Sequence, residues 1–444
     1  MTQADQNGKI VRLKPEPRII PRDQHNISRS VISDNALKVL YRLKNAEYKA
    51  YLVGGGVRDI LLGREPKDFD VVTDAKPEQI RELFRNCRLI GRRFRLAHVR
   101  FGDDVIEVST FRAPHHVSDS KGEGHIEDGR IIRDNVYGDI DDDVWRRDFT
   151  INALFYNIED FSIIDYVDGV KDLEAGQLRL IGDPAQRYIE DPVRMLRAVR
   201  FASKLGLRIH PGTEEPISEY APLLKNIPPA RLFEEISKLF MAGTALQTFE
   251  SLRHFDLFKY LFPQTDYLLD TNEDNFPPTF IMHALKNTDQ RLNEGSSVTP
   301  GFLLAAMLWE PMRVVADEHI AHGLPEMEAV QLAADTVISR QILTTAMPRR
   351  FTQMARDIWS LQVRLKRTGK RSFRVLMHPK FRAAYDFLLL RAQAGESVAN
   401  LVDYWTQEQL NEPLAGKNKI KSGYYKPRPR RRLRSRKRNN KPDS

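Results

Sequence analysis

The chain has one cysteine, Cys87, in 444 residues, and a single thiol closes no internal disulfide and builds no thiolate metal cluster. It has no apolar run near the roughly 20 residues that cross a bilayer, and its start, MTQADQNGKIVRLKPEPRIIPRD, lacks the apolar centre of a signal peptide. The Gly-Lys-Ser/Thr ending of a Walker loop and the GxGxxG spacing are both missing, which removes two common glycine-rich nucleotide signatures. Zinc has little to bind, because His115, His116 and His125 come without cysteine partners or helical spacing. These absences predict a cytoplasmic globular protein with no integral membrane association, in which Cys87 is an inert, partly buried thiol. At 41% hydrophobic content the chain is long enough for two or three domains.

Acid is scarce in one place. Residues 417–444 hold 13 Lys and Arg against the lone Asp443, a net of +12, so the preceding residues sum to −3 in a chain of +9. A Pro-punctuated tail with almost no core-forming residues is expected to be disordered and to seek a polyanion. Nucleic acid leads, with an acidic lipid surface, a solubilising role or a tether to RNA-decay proteins as the other readings.

Residues 1–30 are polar and carry Pro15, Pro17 and Pro21, which predicts a flexible arm. From Ser33 the pattern is periodic. Leu37, Leu40 and Tyr41 mark a helix capped by Ser33 or Asp34, AYLVGG (50–55) a buried strand, VRDILLG a helix and FDVVTD (69–74) a second strand. PEQIRELFRN follows as a helix opened by Pro77, and LAHVRFG and VIEVSTF as further strands. Residues 114–134 read as a mobile loop beside the site, and after about Arg146 strands become rare while amphipathic helices dominate. The fold class is α+β: an α/β head (31–150), a helical neck (151–245), an elongated helical body (246–412) and the basic tail (413–444).

Asp68 and Asp70 flank Phe69 at the start of an apolar strand, so a period of two sends both carboxylates to one face. Two such charges call for a cation, and a hard divalent ion such as Mg²⁺ prefers oxygen ligands and leaves positions for phosphate. Gly54, Gly55 and Gly56 lie between a strand and a helix, where bare backbone N–H groups can approach a phosphate. Either feature alone is commonly a turn or a solvated strand end; together they favour phosphate chemistry. Glu107, alternating with apolar Ile106 and Val108, is either a third active-site acid or an edge-strand partner in a surface ion pair.

LVGGGVRDILLG, KDFDVVTDA, VIEVSTFR, RRDFTINAL (146–154) and EDPVRMLRAVRFASKLGL (190–207) together resemble the ordered motif set of the class II nucleotidyltransferases. That group lies within the DNA polymerase beta-like superfamily and contains tRNA CCA-adding enzymes and bacterial poly(A) polymerases. The resemblance implies that Asp68 and Asp70 hold Mg²⁺ in a two-metal mechanism, with Glu107 as the third carboxylate. It implies that Gly54, Gly55 and Arg58 meet the triphosphate of ATP. Arg147, Asp148 and Asn152 would organise the ribose and phosphate side, with Asp148 an active-site acid of open role. Asp191 and Arg194 would read the nucleobase edge; taken alone, Asp191 and Pro192 are a helix cap and first-turn pair, and Asp191 and Arg194 an i,i+3 ion pair.

Three features resemble the poly(A) polymerase branch in particular. LIGRRFRLAHV (89–99) is basic through Arg92, Arg93 and Arg95; NIPPARLFEE, DIWSLQVRL and HPKFRAAYDFLLLRA are similar to that branch's helical body; and the Arg-rich tail suits an enzyme that takes many RNA 3′ ends. No phosphohydrolase HD domain is found, DEHIAHG (317–323) being a helix end. The resemblance implies transfer of AMP from ATP to RNA 3′ ends with release of pyrophosphate, serving RNA processing and decay, with CCA addition to tRNA as the alternative. Residues 349–374, with Phe351, Trp359 and Phe373 among nine Lys and Arg, are expected to contact RNA or to be core with a solvated face.

Overall fold

The structure, a computed structural model, describes residues 2–4, 10–12, 16–91, 95–113, 124–127, 130–134, 136–271, 279–369 and 372–411. Arg92, Arg93, His115, His116 and the basic tail lie outside the described residues, as does part of the N-terminal arm.

Eight strands form the head's sheet: β1 (Arg18–Ile20), β2 (Ala50–Val53), β3 (Asp70–Thr73), β4 (Cys87–Ile90), β5 (Leu96–Phe101), β6 (Asp104–Thr110), β7 (Leu154–Asn157) and β8 (Ile163–Asp165). Their order is β1-β8-β7-β2-β3-β6-β5-β4. Only β3 and β6 pair in parallel; every other neighbouring pair is antiparallel. Alternation sorts the two faces. Leu52, Val71 and Val108 belong to the main core with helix α1 (Asp34–Asn45), which buries Ala36, Val39, Leu40 and Leu43 at helical spacing. The Ser33 hydroxyl caps α1 by accepting from the Ala36 N–H at 3.1 Å. On the other face Val53, Val72 and Phe155 pack with Val144 of helix α4 (Ile140–Arg146). The short helices α2 (Gly55–Leu61) and α3 (Pro77–Leu83) connect β2 to β3 and β3 to β4.

Three expectations change here. The sheet takes in Arg18–Ile20 from the supposed arm and Leu154–Asp165 beyond the supposed boundary at 150, because β7 pairs with β2 and β8 carries β1 on its outer edge. Residues 124–134 contain an antiparallel pair, Gly124–Glu127 with Arg130–Asp134, where a loop was expected. The strand Cys87–Ile90 was not anticipated, since its mixed Cys-Arg-Leu-Ile pattern carries little alternation.

Helices α5 (Pro184–Glu190), α6 (Val193–Leu205) and α7 (Pro229–Phe240) form the neck, and long helices follow to Asn411. One hydrophobic core runs from Ile20 to Leu390, so head, neck and body pack continuously. Trp359 is core: it is fully buried and donates its indole N–H to the Ala305 carbonyl at 3.1 Å. Phe351 packs against Phe233 of α7, and Phe373 alone of the three aromatics is exposed.

Candidate active site

The sheet register assembles the acids. Asp70 of β3 stands directly opposite Glu107 of β6, and Glu107 opposite His98 of β5, so three polar side chains cross the sheet in one row. They share the face of Val53 and Val72, opposite the one that α1 covers. His98 Nε2 lies 3.4 Å from Glu107 Oε2. Asp68 sits two residues before the strand and is exposed, while Asp70 is partly buried, so the two aspartates are not equivalent as the alternation suggested. Burial, then the negative charges of Glu107 and Asp68 against the opposing Arg147, pushes the Asp70 carboxyl up to about 6.

The glycines meet the acids in space. Gly54 has φ +74 and ψ −135, a conformation closed to L side chains, and a Cβ there would come within 3.8 Å of Asp70 Oδ2 and 3.7 Å of Arg147 Nη1. A Cβ on Gly56 would press to 3.3 Å from the Asp68 carbonyl. Helix α2 spans only seven residues, so its dipole is small and the bare N–H groups beside Arg147 are the main attraction for an anion.

Arg147 is held by Asp143 of α4, which accepts from Arg147 Nε at 2.9 Å, and its guanidinium lies over Phe155. Arg58 does not face open space: it is 3% exposed, donates to Asn152 Oδ1 at 2.6 Å and to Asp59, and lies over Phe201. Asn152 passes the link on, donating from Nδ2 to Asp148 Oδ1 at 3.1 Å. Asp148 also accepts from the Phe149 N–H at 2.8 Å and from Arg197 Nε at 2.7 Å. Burial works to raise the Asp148 carboxyl, but Arg197 and these hydrogen bonds override it and hold it down at about 2. The result is a chain, Arg58, Asn152, Asp148, Arg197, that ties α2 to α6.

Asp191 and Arg194 lie at the entry to α6, but not as a mutual ion pair. Asp191 Oδ2 accepts from Arg231 Nη2 of α7 at 2.7 Å, and its other oxygen accepts from the Val193 N–H at 3.3 Å. Arg194 donates instead to Glu190 at 2.9 Å and to the Arg187 carbonyl at 2.7 Å. The cap itself falls on Pro192, one residue later than expected.

Sequence reasoning missed Arg197, Arg231, Asp143 and His98. The signal for Arg197 was there: Arg194, Arg197 and Arg200 recur every three positions, a second stripe beside the apolar one. That stripe is electropositive. Burial, then the neighbouring Arg197, pushes the Arg200 guanidinium down, and the Nε atoms of Arg187 and Arg200 are buried without a hydrogen-bond partner.

A mixed sheet bearing in-register carboxylates beside a glycine turn, continued by a cation-lined helical neck, defines a nucleotidyltransferase. The family model of the poly A polymerase head domain matches residues 50–179, that of a probable RNA and SrmB-binding site of polymerase A residues 206–269, and that of the polymerase A arginine-rich C-terminus residues 322–439. Poly(A) polymerase I of Escherichia coli O6:H1 is 51% identical, covering 95% of this chain and 92% of its own; that of Haemophilus influenzae is 46% identical, covering 94% and 95%. The crystal structure of the Bacillus stearothermophilus CCA-adding enzyme in complex with CTP shares the fold with a TM-score of 0.54 at 24% identity, covering 85% of this chain and 82% of that one. The chain belongs to the poly(A) polymerase family. It is a polynucleotide adenylyltransferase whose reaction is polyadenylation, and the CCA-adding enzymes are its distant relatives.

Proposed function

We propose that the enzyme transfers AMP from ATP to the 3′-hydroxyl of RNA, releasing pyrophosphate, with Asp68 and Asp70 holding Mg²⁺. The observation that carries this reading is the Asp70–Glu107 register pair set against Gly54 and Arg147. Among the described residues no three His, Cys, Asp or Glu side chains converge on one point, yet the donor set fits a hard cation: it is all oxygen, and Asp70 resists ionisation because it is buried and because Glu107 and Asp68 add negative charge beside it. Bound there, Mg²⁺ would supply charge neutralisation for the triphosphate and a lowered pKa for the attacking hydroxyl.

The chain's own residues do the rest. The Gly54 and Gly55 backbone and Arg147 receive phosphate oxygens, and His98 steadies Glu107. Arg58 and Asn152 act from behind, fixing Asp148, which stays ionised and aligns α6. For adenine, the Asp191 carboxylate accepts from N6–H₂ and the Arg194 guanidinium donates to N1, with Arg231 orienting the carboxylate. Among the described residues no helix is long and apolar enough to cross a membrane; the proposal sets the reaction in the cytoplasm. RNA-decay proteins would dock through the basic tail, and the match of residues 206–269 to a probable RNA and SrmB-binding site of polymerase A supports a second contact there.

Incubation with Mg²⁺, an unstructured RNA and each nucleoside triphosphate in turn tests the reading. Long extension with ATP alone is expected. A product that stops at CCA on tRNA and requires CTP refutes it.

A further inference from the structure

The helical body contains a cleft of about 510 Å³, large enough for a nucleotide, between helices α8 (Thr279–Asn293), α9 (Pro300–Met307), α10 (Arg349–Leu365) and α11 (Phe381–Gln393). Its lining is sorted by chemistry. Phe302 contributes a partly exposed ring to the lining and meets Phe387 in a T-shaped contact at 5.8 Å between centroids. Asn287 and Gln393 bring carboxamides to the rim, where they are 3.4 Å apart and present both donors and acceptors. Arg291 and Arg382 share Asp386, at 3.7 and 3.0 Å, while the Lys380 ammonium makes no ion pair among the described residues. An aromatic floor, amide edges and an unneutralised cation match a base, its hydrogen-bonding edge and its phosphate.

We infer that this cleft binds one nucleotide unit of the RNA strand upstream of its 3′ end. Charge complementarity favours RNA as the occupant: the residues before 417 sum to −3, yet this rim carries three cations against Asp386 and Glu294. Within 349–374 Trp359 is sealed in the core and the exposed Phe373 does not line the cleft, so the ring available there is that of Phe302. The inference rests on the polyadenylation reading only for the identity of the strand, and its test needs no catalysis.

The full chain is titrated into a fluorescent fifteen-nucleotide oligo(A) without ATP or metal, and anisotropy is read. Lys380→Glu is expected to raise Kd about tenfold and to reduce the slope of log Kd against log salt by about one. Phe302→Leu, which keeps the apolar volume, is expected to raise Kd about fivefold at an unchanged melting temperature. The same oligonucleotide carrying 8-azidoadenine is expected to crosslink within residues 284–302 or 379–393, and excess unlabelled oligo(A) should abolish the labelling where excess AMP does not. Unchanged Kd in both variants overturns the inference. So does labelling by 8-azido-AMP that oligo(A) fails to displace, which marks a site for free nucleotide.

Discussion

Asp70 is costly for the fold, and the proposed chemistry depends on it. Its folded value of about 6 lies above the ordinary 3.8, so the folded state holds the proton more tightly than the unfolded chain does. The stability this contributes is full below about pH 4 and is lost as pH rises through about 6. Asp70→Asn is therefore expected to raise the metal-free melting temperature at pH 7.5, with the difference vanishing near pH 4 in a thermal melt, while extension activity disappears. Asp148 has the opposite sign: at about 2 its contribution is present above pH 3.8 and lost as pH falls through 2. Asp148→Asn leaves the part-buried Arg197 without its counter-charge, which should cost about 2 kcal/mol in denaturant melts and at least a hundredfold in extension rate. Asp68, Asp70 and the glycines were legible one by one in the sequence because they stand at strand ends, and Glu107 because it interrupts an apolar strand. Arg231 was not, because a carboxylate forty positions away selects its partner through the fold.

At the scale of elements, the turn from β2 into α2 brings glycine and acid together. Gly54→Ala must force a side chain into φ +74, ψ −135, a strain of about 1–3 kcal/mol. The expected result is a KM for ATP raised about tenfold, measured by steady-state extension, with RNA affinity unchanged. Helices such as α1 were legible from cap and stripe, and β3 and β6 from their apolar alternation. The strands β1 and β8 were not: three residues each carry too little pattern, and they exist because the sheet edge supplies partners. The same override moved Asp191 from a local ion pair with Arg194 to a long-range one with Arg231.

For the whole molecule, the charge division matters most. Truncation before Lys417 takes the chain from +9 to −3, and oligo(A) affinity is expected to fall and its salt dependence to flatten in the same anisotropy titration. The division into head and helical body was readable from the loss of alternation after Arg146, but its edge was not, since β7 and β8 return to the sheet from beyond it. Trp359 shows the limit of composition: basic and aromatic residues interleave in α10, yet the ring points inward because its indole N–H finds the Ala305 carbonyl there. The pairing of Asp70 with Glu107 carries a further consequence. β5 turns into β6 through Gly102 and Asp103 alone, so nothing between Phe101 and Glu107 can absorb a change in length. Deleting one residue from that hairpin would leave every acid in the sequence and turn Glu107 toward α1. Insertions and deletions there are as damaging as loss of the carboxylate, and what this enzyme must inherit is a spacing as much as a set of side chains.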